Sequence, residues 1–421
     1  MIFQESIEAV ERSVFSKSFG KPLYDCLCFS KIPATVCSLL GVDQGKGLPS
    51  GCVQPDSYDA VVFLFLDGFA WRYFERYKDH PFLRRFLDGG VVSKITAQFP
   101  STTSAEVTTI HTGLEVGQTG IYEWFQYEPQ VDRIIAPLLF SYAGDKVAES
   151  LSSCEVPPAE FFPFETIYQK LQDHKISSHL VQPVQLATSP YSQRMGRGAH
   201  VLSYFTLQQG VQGIKETLNK QSDQKAYIML YYPDIDAVGH RKGPGSKELE
   251  EEVLRTLDLL ERELMSSLSL QGKKVALMLS ADHGMVAVDP KNTWYVNKEY
   301  PGITSLCKKS SEGYLLAPAG SCRDLFLHIK EDAIEEVFET LTERLLGRAE
   351  VWKTAELITA GLFGSHVSSR FLHRVGDLVV LPYEGEAVWW QEKHRFEQHF
   401  YGAHGGLTRG ELEIPFLFAR I

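Results

Sequence analysis

Residues 60–66 read Ala-Val-Val-Phe-Leu-Phe-Leu, seven apolar side chains in a row that end at Asp67-Gly68. A strand with one wet face alternates apolar and polar positions. A run without alternation needs cover on both faces, as a central strand of an α/β sheet has. The polar residue after such a strand lies at its carboxyl end, where open α/β sheets bind their ligands. Similar short runs recur at 225–232 and 274–279, with helix-period segments between them, notably 246–268. This alternation predicts an α/β fold, a three-layer α/β/α domain with a largely parallel central sheet. The Glu-rich stretch 247–268 reads as an amphipathic helix with a solvated charged face.

The chain divides by pattern. Residues 1–55 mix amphipathic helical stretches with a Gly/Pro-rich exit and read as a helical extension packed on the core. Residues 56–291 and 376–421 read as the main core, with Gly376-Asp-Leu-Val-Val-Leu-Pro382 resuming as a core strand and 414–419 supplying the last one. Between them, 292–375 alternates at 323–329, turns helical over 331–346 and becomes a strand near Val351, the pattern of a small inserted α+β cap lobe.

Charge and composition exclude several classes. Lys plus Arg is 42 against 53 for Asp plus Glu, a formal charge of -11, so a nucleic acid duplex meets net repulsion. A small anion remains compatible, because a bound cation reverses the local field. The apolar runs have strand length, far below the ~18 residues of a membrane span, so no membrane partner is expected. The N-terminus, Met1-Ile-Phe-Gln-Glu-Ser-Ile-Glu8, lacks the basic start and apolar run of a signal peptide. Seven cysteines in an odd set without Cys-x-x-Cys predict reduced thiols and a cytoplasmic location. Oligomeric state is not legible.

Three strand ends carry acids or histidines: Asp67 after 61–66, Asp236 and His240 after 227–232, and Asp282-His283 after 275–280. His404 lies in the Gly-flanked turn Gly402-Ala-His-Gly405. Three carboxylates and three imidazoles on convergent loops make a ligand set for two divalent cations. Taken singly, Asp67-Gly68 is also a plain turn and Asp282-His283-Gly284 a strand-to-helix corner. Pro233 and Gly239 favour a loop over a helix for Asp236 and His240, and Asp234 is an alternative ligand.

Phe99-Pro-Ser-Thr-Thr-Ser-Ala-Glu106 is an extended entry that turns into a helix near Thr103. Thr103-Ser-Ala-Glu106 fits a capping box, with Thr103 as N-cap and Glu106 reaching back to it. A helix start also presents free N–H groups to an anion. Thr103 is therefore either a cap or a nucleophile whose hydroxyl a metal acidifies.

The ordered set Leu66-Asp67-Gly68, Phe99-Pro-Ser-Thr-Thr103, Asp236-Ala-Val-Gly-His240, Ser280-Ala-Asp-His-Gly-Met285 and Ala403-His404-Gly405 resembles the alkaline phosphatase superfamily. Within it, the resemblance is to the nucleotide pyrophosphatase/phosphodiesterase, or type I phosphodiesterase, branch. It implies that Asp67, Asp282, His283 and Thr103 hold one metal and Asp236, His240 and His404 the other. It also implies that Thr103 is the catalytic nucleophile, forming a phosphothreonine intermediate in the hydrolysis of phosphodiester or pyrophosphate bonds of a small soluble phosphorylated substrate, a nucleotide or a relative. Zinc is the metal the resemblance favours, with manganese or iron compatible with the same oxygen and imidazole donors. Where the resemblance leads to an asparagine on a phosphate oxygen, three residues past the nucleophile, this chain has Glu106. Alternatives within the superfamily are a phosphomonoesterase, a phosphomutase or a phosphonate hydrolase. A non-catalytic, metal-stabilised binding protein is the alternative outside enzymes. His111 reads as a packing residue; Tyr122, Trp124 and Phe125 read as core or rim.

Overall fold

The cover that residues 60–66 demand is present on both sides in the computed structural model, which describes every residue except 221–223, 266–269 and 271. In chain order the strands are Ala60–Leu66 (β1), Gly90–Thr96 (β2), Ser177–Pro183 (β3), His200–Tyr204 (β4), Ala226–Tyr232 (β5) and Val275–Ser280 (β6). Leu325–Leu327 (β7), Ala349–Lys353 (β8), Leu378–Pro382 (β9) and Glu413–Arg420 (β10) follow. The central sheet has the order β2-β10-β6-β1-β5-β3-β4. β1 runs parallel to β5 and β6, β5 to β3, and β3 to β4, while β10 is antiparallel to both its neighbours. Leu66 pairs with Tyr232 and Phe65 with Ser280, so the carboxyl ends of three central strands finish side by side. That register brings Asp67, the start of the segment after β5, and Asp282 to one place.

Residues 1–55 lie along the outer strand β2. The Phe3 N–H donates to the Val92 carbonyl (2.8 Å) and the Thr96 N–H to the Leu27 carbonyl (2.8 Å). Helices Gln4–Arg12 and Ile32–Leu39 bury Val10, Ile32 and Val36 against the domain. The extension thus covers an edge that would otherwise expose unpaired backbone groups.

The lobe carries a three-stranded sheet of order β7-β9-β8, all antiparallel. This corrects the expectation for Gly376–Pro382. That segment is the centre of the small sheet and does not join the central one, so the lobe extends past residue 375. The physical reason is that the small sheet is also covered twice. Leu325, Leu327, Leu378 and Val380 face a core of their own with Val337 and Leu341 of the helix Ile334–Arg344. Phe326, Val379 and Leu381 pack into the main core from the other face. A strand apolar on both sides fits either sheet, and pattern alone does not choose.

The Glu-rich segment begins as a helix at Lys247–Leu259, with the Ser246 hydroxyl accepting the Leu249 N–H (3.2 Å), and continues as a π-turn over Leu260–Met265. Its expected end at Leu268 lies outside the described residues. No helix among the described residues is long and apolar enough to cross a membrane.

Candidate active site

Asp67 follows β1 directly and is 2% exposed. Its N–H donates to the Tyr232 carbonyl (3.0 Å), its Oδ2 accepts the Tyr231 hydroxyl, and its Oδ1 is buried without a hydrogen-bond partner. Gly68 has φ +72°, and a Cβ there would lie 3.1 Å from the Asp236 Cα, so any other residue strains the close approach of this turn to Asp236. Asp282 Oδ1 accepts the N–H groups of Gly68 and His283, both at 3.0 Å, while its Oδ2 is also buried and unpaired. His283 Nδ1 donates to the Gly284 carbonyl (2.9 Å), which leaves Nε2 as a lone pair. That nitrogen lies 3.1 Å from Thr103 Oγ1, 3.3 Å from Asp282 Oδ2 and 3.4 Å from Asp67 Oδ1.

Asp236 and His240 lie on a helix, Asp234–Lys242 (α2, after Thr103–Thr112 as α1), and share one face at i and i+4. The expected loop is therefore overturned. Pro233 occupies the N-cap position, where its missing N–H costs the helix nothing, and Gly239 is buried at a spot where a Cβ would meet Met285 Sδ at 2.7 Å. His240 Nδ1 donates to the Gly402 carbonyl (2.8 Å) and His404 Nδ1 to the Ser101 carbonyl (3.1 Å). Their Nε2 lone pairs face each other at 3.1 Å, with Asp236 Oδ2 3.3 Å from His240 and Oδ1 3.7 Å from His404. The His404 ring stacks on His283 at 3.5 Å. Among the described residues, side chains whose ligand atoms all lie within 4.8 Å of one another form two groups, Asp67 with Asp282 and His283, and Asp236 with His283 and His404; His240 falls outside them but borders the second, through Asp236 and His404. Asp234 stands apart, accepting the Tyr232 hydroxyl at 3.1 Å.

These atoms fit divalent metals. Asp67 Oδ1, Asp236 Oδ1 and Asp282 Oδ2 are buried oxygens with no donor, and three imidazole lone pairs point among them. Burial, then the neighbouring charges of Asp282 and Asp236, pushes the Asp67 carboxyl well above the usual carboxylate range. Burial likewise raises Asp236. His404 is held well below an ordinary histidine by burial, then by His283 and His240. A cation among them relieves each of these penalties at once.

The helix start differs from the expected capping box. Thr102 is the N-cap, its hydroxyl accepting the Ser104 N–H (3.1 Å), and α1 begins at Thr103. Glu106 turns away from the cleft and accepts the backbone and side-chain N–H groups of Gln98 at 2.5 and 2.6 Å. One threonine caps, so the other keeps a free oxygen toward His283. With Glu106 fully buried beneath the helix, no carboxylate from that position confronts a phosphoryl group.

Above Thr103 lies a cleft of about 390 Å³. Its walls include Trp124, Phe125, Trp389, Phe396 and Phe400, together with Arg395. Phe125 stacks with Trp389 (6.2 Å) and meets Phe396 edge-on (5.5 Å). Sequence reading assigned Trp124 and Phe125 to packing and did not single out Trp389, Phe396, Phe400 or the second-layer Tyr231. The available signal was proximity: Phe396 and Phe400 lie just ahead of His404 in the chain. Tyr122 is core, as expected. His111 is also buried, bonded to the Tyr168 hydroxyl (2.7 Å), with burial pushing its pKa down to about 3. His366, His373, His394 and His399 are absent from the cleft lining.

Over residues 61–407 the sequence matches the family described as type I phosphodiesterase / nucleotide pyrophosphatase. It is 25% identical over 236 residues to bis(5'-adenosyl)-triphosphatase ENPP4 of Homo sapiens, covering 53% of this chain and 47% of that protein. It is 26% identical over 244 residues to an uncharacterised pyrophosphatase/phosphodiesterase of Schizosaccharomyces pombe, covering 56% and 47%. The chain thus spans about half the length of the curated relatives it matches. Among solved structures, murine ectonucleotide pyrophosphatase/phosphodiesterase 5 superposes with a TM-score of 0.61 at 20% identity, covering 85% of this chain and 87% of that one. An inactive form of that protein in complex with AMP superposes equally well. Phosphonoacetate hydrolase from Sinorhizobium meliloti 1021, with phosphonoformate, gives 0.61 at 18% identity, covering 87% and 92%.

Proposed function

The chain belongs to the type I phosphodiesterase / nucleotide pyrophosphatase family, and on that premise we propose that it hydrolyses a phosphodiester or pyrophosphate bond in a small substrate carrying a flat ring, such as a nucleotide. The observation that carries this reading is the uncapped Thr103 hydroxyl, 3.1 Å from His283 Nε2, at the first position of α1 and in the floor of an aromatic cleft.

Two divalent ions, for which zinc suits the oxygen and imidazole donors best, would supply Lewis acidity that lowers the pKa of a hydroxyl or water and neutralises phosphoryl charge. Asp67, Asp282 and His283 would hold one beside Thr103; Asp236, His240 and His404 would hold the other. Thr103 Oγ1 loses its proton to solvent and bonds to phosphorus as the bond to the leaving oxygen breaks, and that oxygen takes a proton from water. A water then splits the phosphothreonine, its hydroxyl going to phosphorus and its proton to Thr103. Apart from that of Ser104, which Thr102 caps, the N–H groups that open α1 lie outside the helical ladder and orient phosphoryl oxygens. Thr102, by capping, holds that helix start in place.

The walls favour this reading over a phosphonate hydrolase. Among the described residues of the lining Arg395 is the cationic side chain besides histidine, and it is engaged by Glu392 (2.8 Å) and the Ala143 carbonyl (2.8 Å), while the rings of Trp124, Phe125, Trp389, Phe396 and Phe400 share the wall with Glu123 and Glu397. Such a wall suits a ring and gives a second anionic group little to bind.

Steady-state hydrolysis of bis-p-nitrophenyl phosphate against p-nitrophenyl phosphate, by zinc-loaded wild type and Thr103→Ala, tests the proposal. Diester preference that vanishes in Thr103→Ala is expected. Turnover that survives in Thr103→Ala overturns the nucleophile, and monoester preference moves the activity to a phosphatase.

A further inference from the structure

Beside the turn that carries His404 two buried carboxyl groups meet, one of them, Glu123, among the residues that line the cleft with Thr103. Glu123 is 1% exposed and Asp324 fully buried, and both carboxyl groups close on one glycine, Gly405. Asp324 Oδ1 accepts the N–H (3.1 Å) and the hydroxyl (2.5 Å) of Ser321, and Glu123 accepts the N–H of Trp124. Ser321 Oγ lies 3.2 Å from the His404 carbonyl. Against this cluster rests Gly405, at φ +125°. A Cβ there would lie 2.6 Å from Asp324 Oδ1, 2.7 Å from Ser321 Oγ and 3.1 Å from Glu123 Oε1. From the opposite side Ser101 binds the same turn: its N–H donates to the Gly405 carbonyl (3.1 Å), its hydroxyl to the Gly406 carbonyl (2.7 Å), and its carbonyl accepts His404 Nδ1.

The turn that presents His404 is therefore held between two jaws. One is the segment that leads into Thr103. The other joins the lobe, through Ser321 and Asp324, to the cleft wall, through Glu123 beside Trp124 and Phe125. We propose that Glu123 and Asp324 are positioning residues, a buried acid pair that, with Ser321, fixes the His404–Gly405 turn and so sets the affinity of the Asp236/His404 side for its ion. The inference rests on the two-ion reading above. Partners of this kind around a ligating histidine typically control metal affinity by about 10–100-fold.

Zinc titration of the apo-protein, with near-UV circular dichroism as a check of folding, tests it on wild type, Glu123→Ala, Asp324→Ala, Glu123→Gln, Asp324→Asn and Ser321→Ala. Wild type is expected to bind two ions. Each carboxyl-to-alanine variant keeps one at wild-type affinity and binds the other about 10–100-fold more weakly. Glu123→Gln and Asp324→Asn recover most of the loss, because the amides keep the size and polarity of the groups packed on Gly405; a purely structural acid pair predicts no such selectivity for one ion. Folded alanine variants that bind both ions as wild type does overturn the proposal, as do amide variants that lose the ion as fully as alanine. If the alanine variants do not fold, Ser321→Ala decides, since it removes one hydroxyl at a half-buried position: roughly tenfold weakening of one ion is expected, and unchanged binding overturns the clamp. Wild type that binds fewer than two ions overturns the two-ion reading itself, an outcome distinct from clamp variants that behave as wild type.

Discussion

The guanidinium of Arg323 and the carboxylate of Glu411 form a two-point ion pair, Nε to Oε1 at 2.9 Å and Nη2 to Oε2 at 3.0 Å, with both side chains wholly excluded from solvent. Arg323 stands two residues before β7, and its remaining N–H groups donate to the carbonyls of Pro382, Tyr383 and Glu386. Glu411 accepts the Gly406 N–H (3.1 Å) and the Thr408 hydroxyl (2.5 Å). The pair therefore fastens the small sheet to the turn that follows His404. Removing one partner leaves the other charged and buried, a loss of about 3–5 kcal/mol. Urea unfolding of Glu411→Gln is expected to show it, and Arg323→Met/Glu411→Met should lose less than the two single variants summed.

On the proposed mechanism adjacent threonines divide two tasks, and stability and turnover should separate them. Thr102→Ala removes the oxygen that caps α1 and should cost about 1 kcal/mol of unfolding free energy. Thr103→Ala removes no cap and should leave stability within about 0.5 kcal/mol, while turnover falls by roughly 10⁴-fold or more. Chemical denaturation and diester hydrolysis on the same preparations compare them. Equal stability losses in both variants would contradict the assignment of the cap.

Much of this arrangement is legible in the sequence because its physics is local. An apolar run such as 60–66 forces a doubly covered strand, and the residue after it has nowhere to go but the ligand end of the sheet. Asp67, Asp282 and His283 follow from that rule. β3 and β4 are less legible: His179, His200 and Ser203 sit on a sheet margin that solvent reaches, and the apolar signal fades there. The placement of β9 depends on which sheet receives a strand apolar on both faces, a tertiary choice. The helix under Asp236 and His240 was hidden by Pro233 and Gly239, whose breaker character is cancelled by an N-cap position and a methionine packed on the glycine. Trp389, Phe396 and Phe400 line the cleft because the lobe folds back over Thr103, a contact that no spacing encodes. The cap at Thr102 in place of Thr103 is a one-residue matter, beyond what pattern resolves.

Tyr231 deserves a variant of its own because its hydroxyl is the donor that orients Asp67 Oδ2, which leaves Oδ1 aimed at His283. Tyr231→Phe keeps the ring, which packs edge-on against Phe65 at 5.3 Å, and deletes that donor alone. Zinc affinity at the Asp67 side should fall by about 10–100-fold with little change in thermal midpoint. Isothermal titration of metal-free protein measures the affinity. Unaltered binding would mean that Asp67 is oriented by its neighbours without the phenol.

His111 gives the fold a dependence on pH whose sign is fixed. Its ring is buried on α1 against Tyr168, and burial lowers its pKa from 6.5 to about 3. In the unfolded chain the imidazole takes up a proton below about 6.5, while in the folded chain it stays neutral, so the unfolded state binds more protons across that window. Stability is thus fully present above pH 6.5 and declines as pH falls toward 3, with a slope approaching 1.4 kcal/mol per pH unit. Between pH 7 and pH 5 the contribution lost is about 2 kcal/mol. His111→Phe removes the titrating group, and the Tyr168 hydroxyl it leaves behind adds a cost that does not vary over this range. Urea midpoints at pH 7, 6 and 5 should therefore converge: wild type loses stability faster on acidification than the variant does. Parallel slopes would place the acid sensitivity elsewhere, for instance at His328, another buried imidazole, with its pKa pushed down to about 4 by burial.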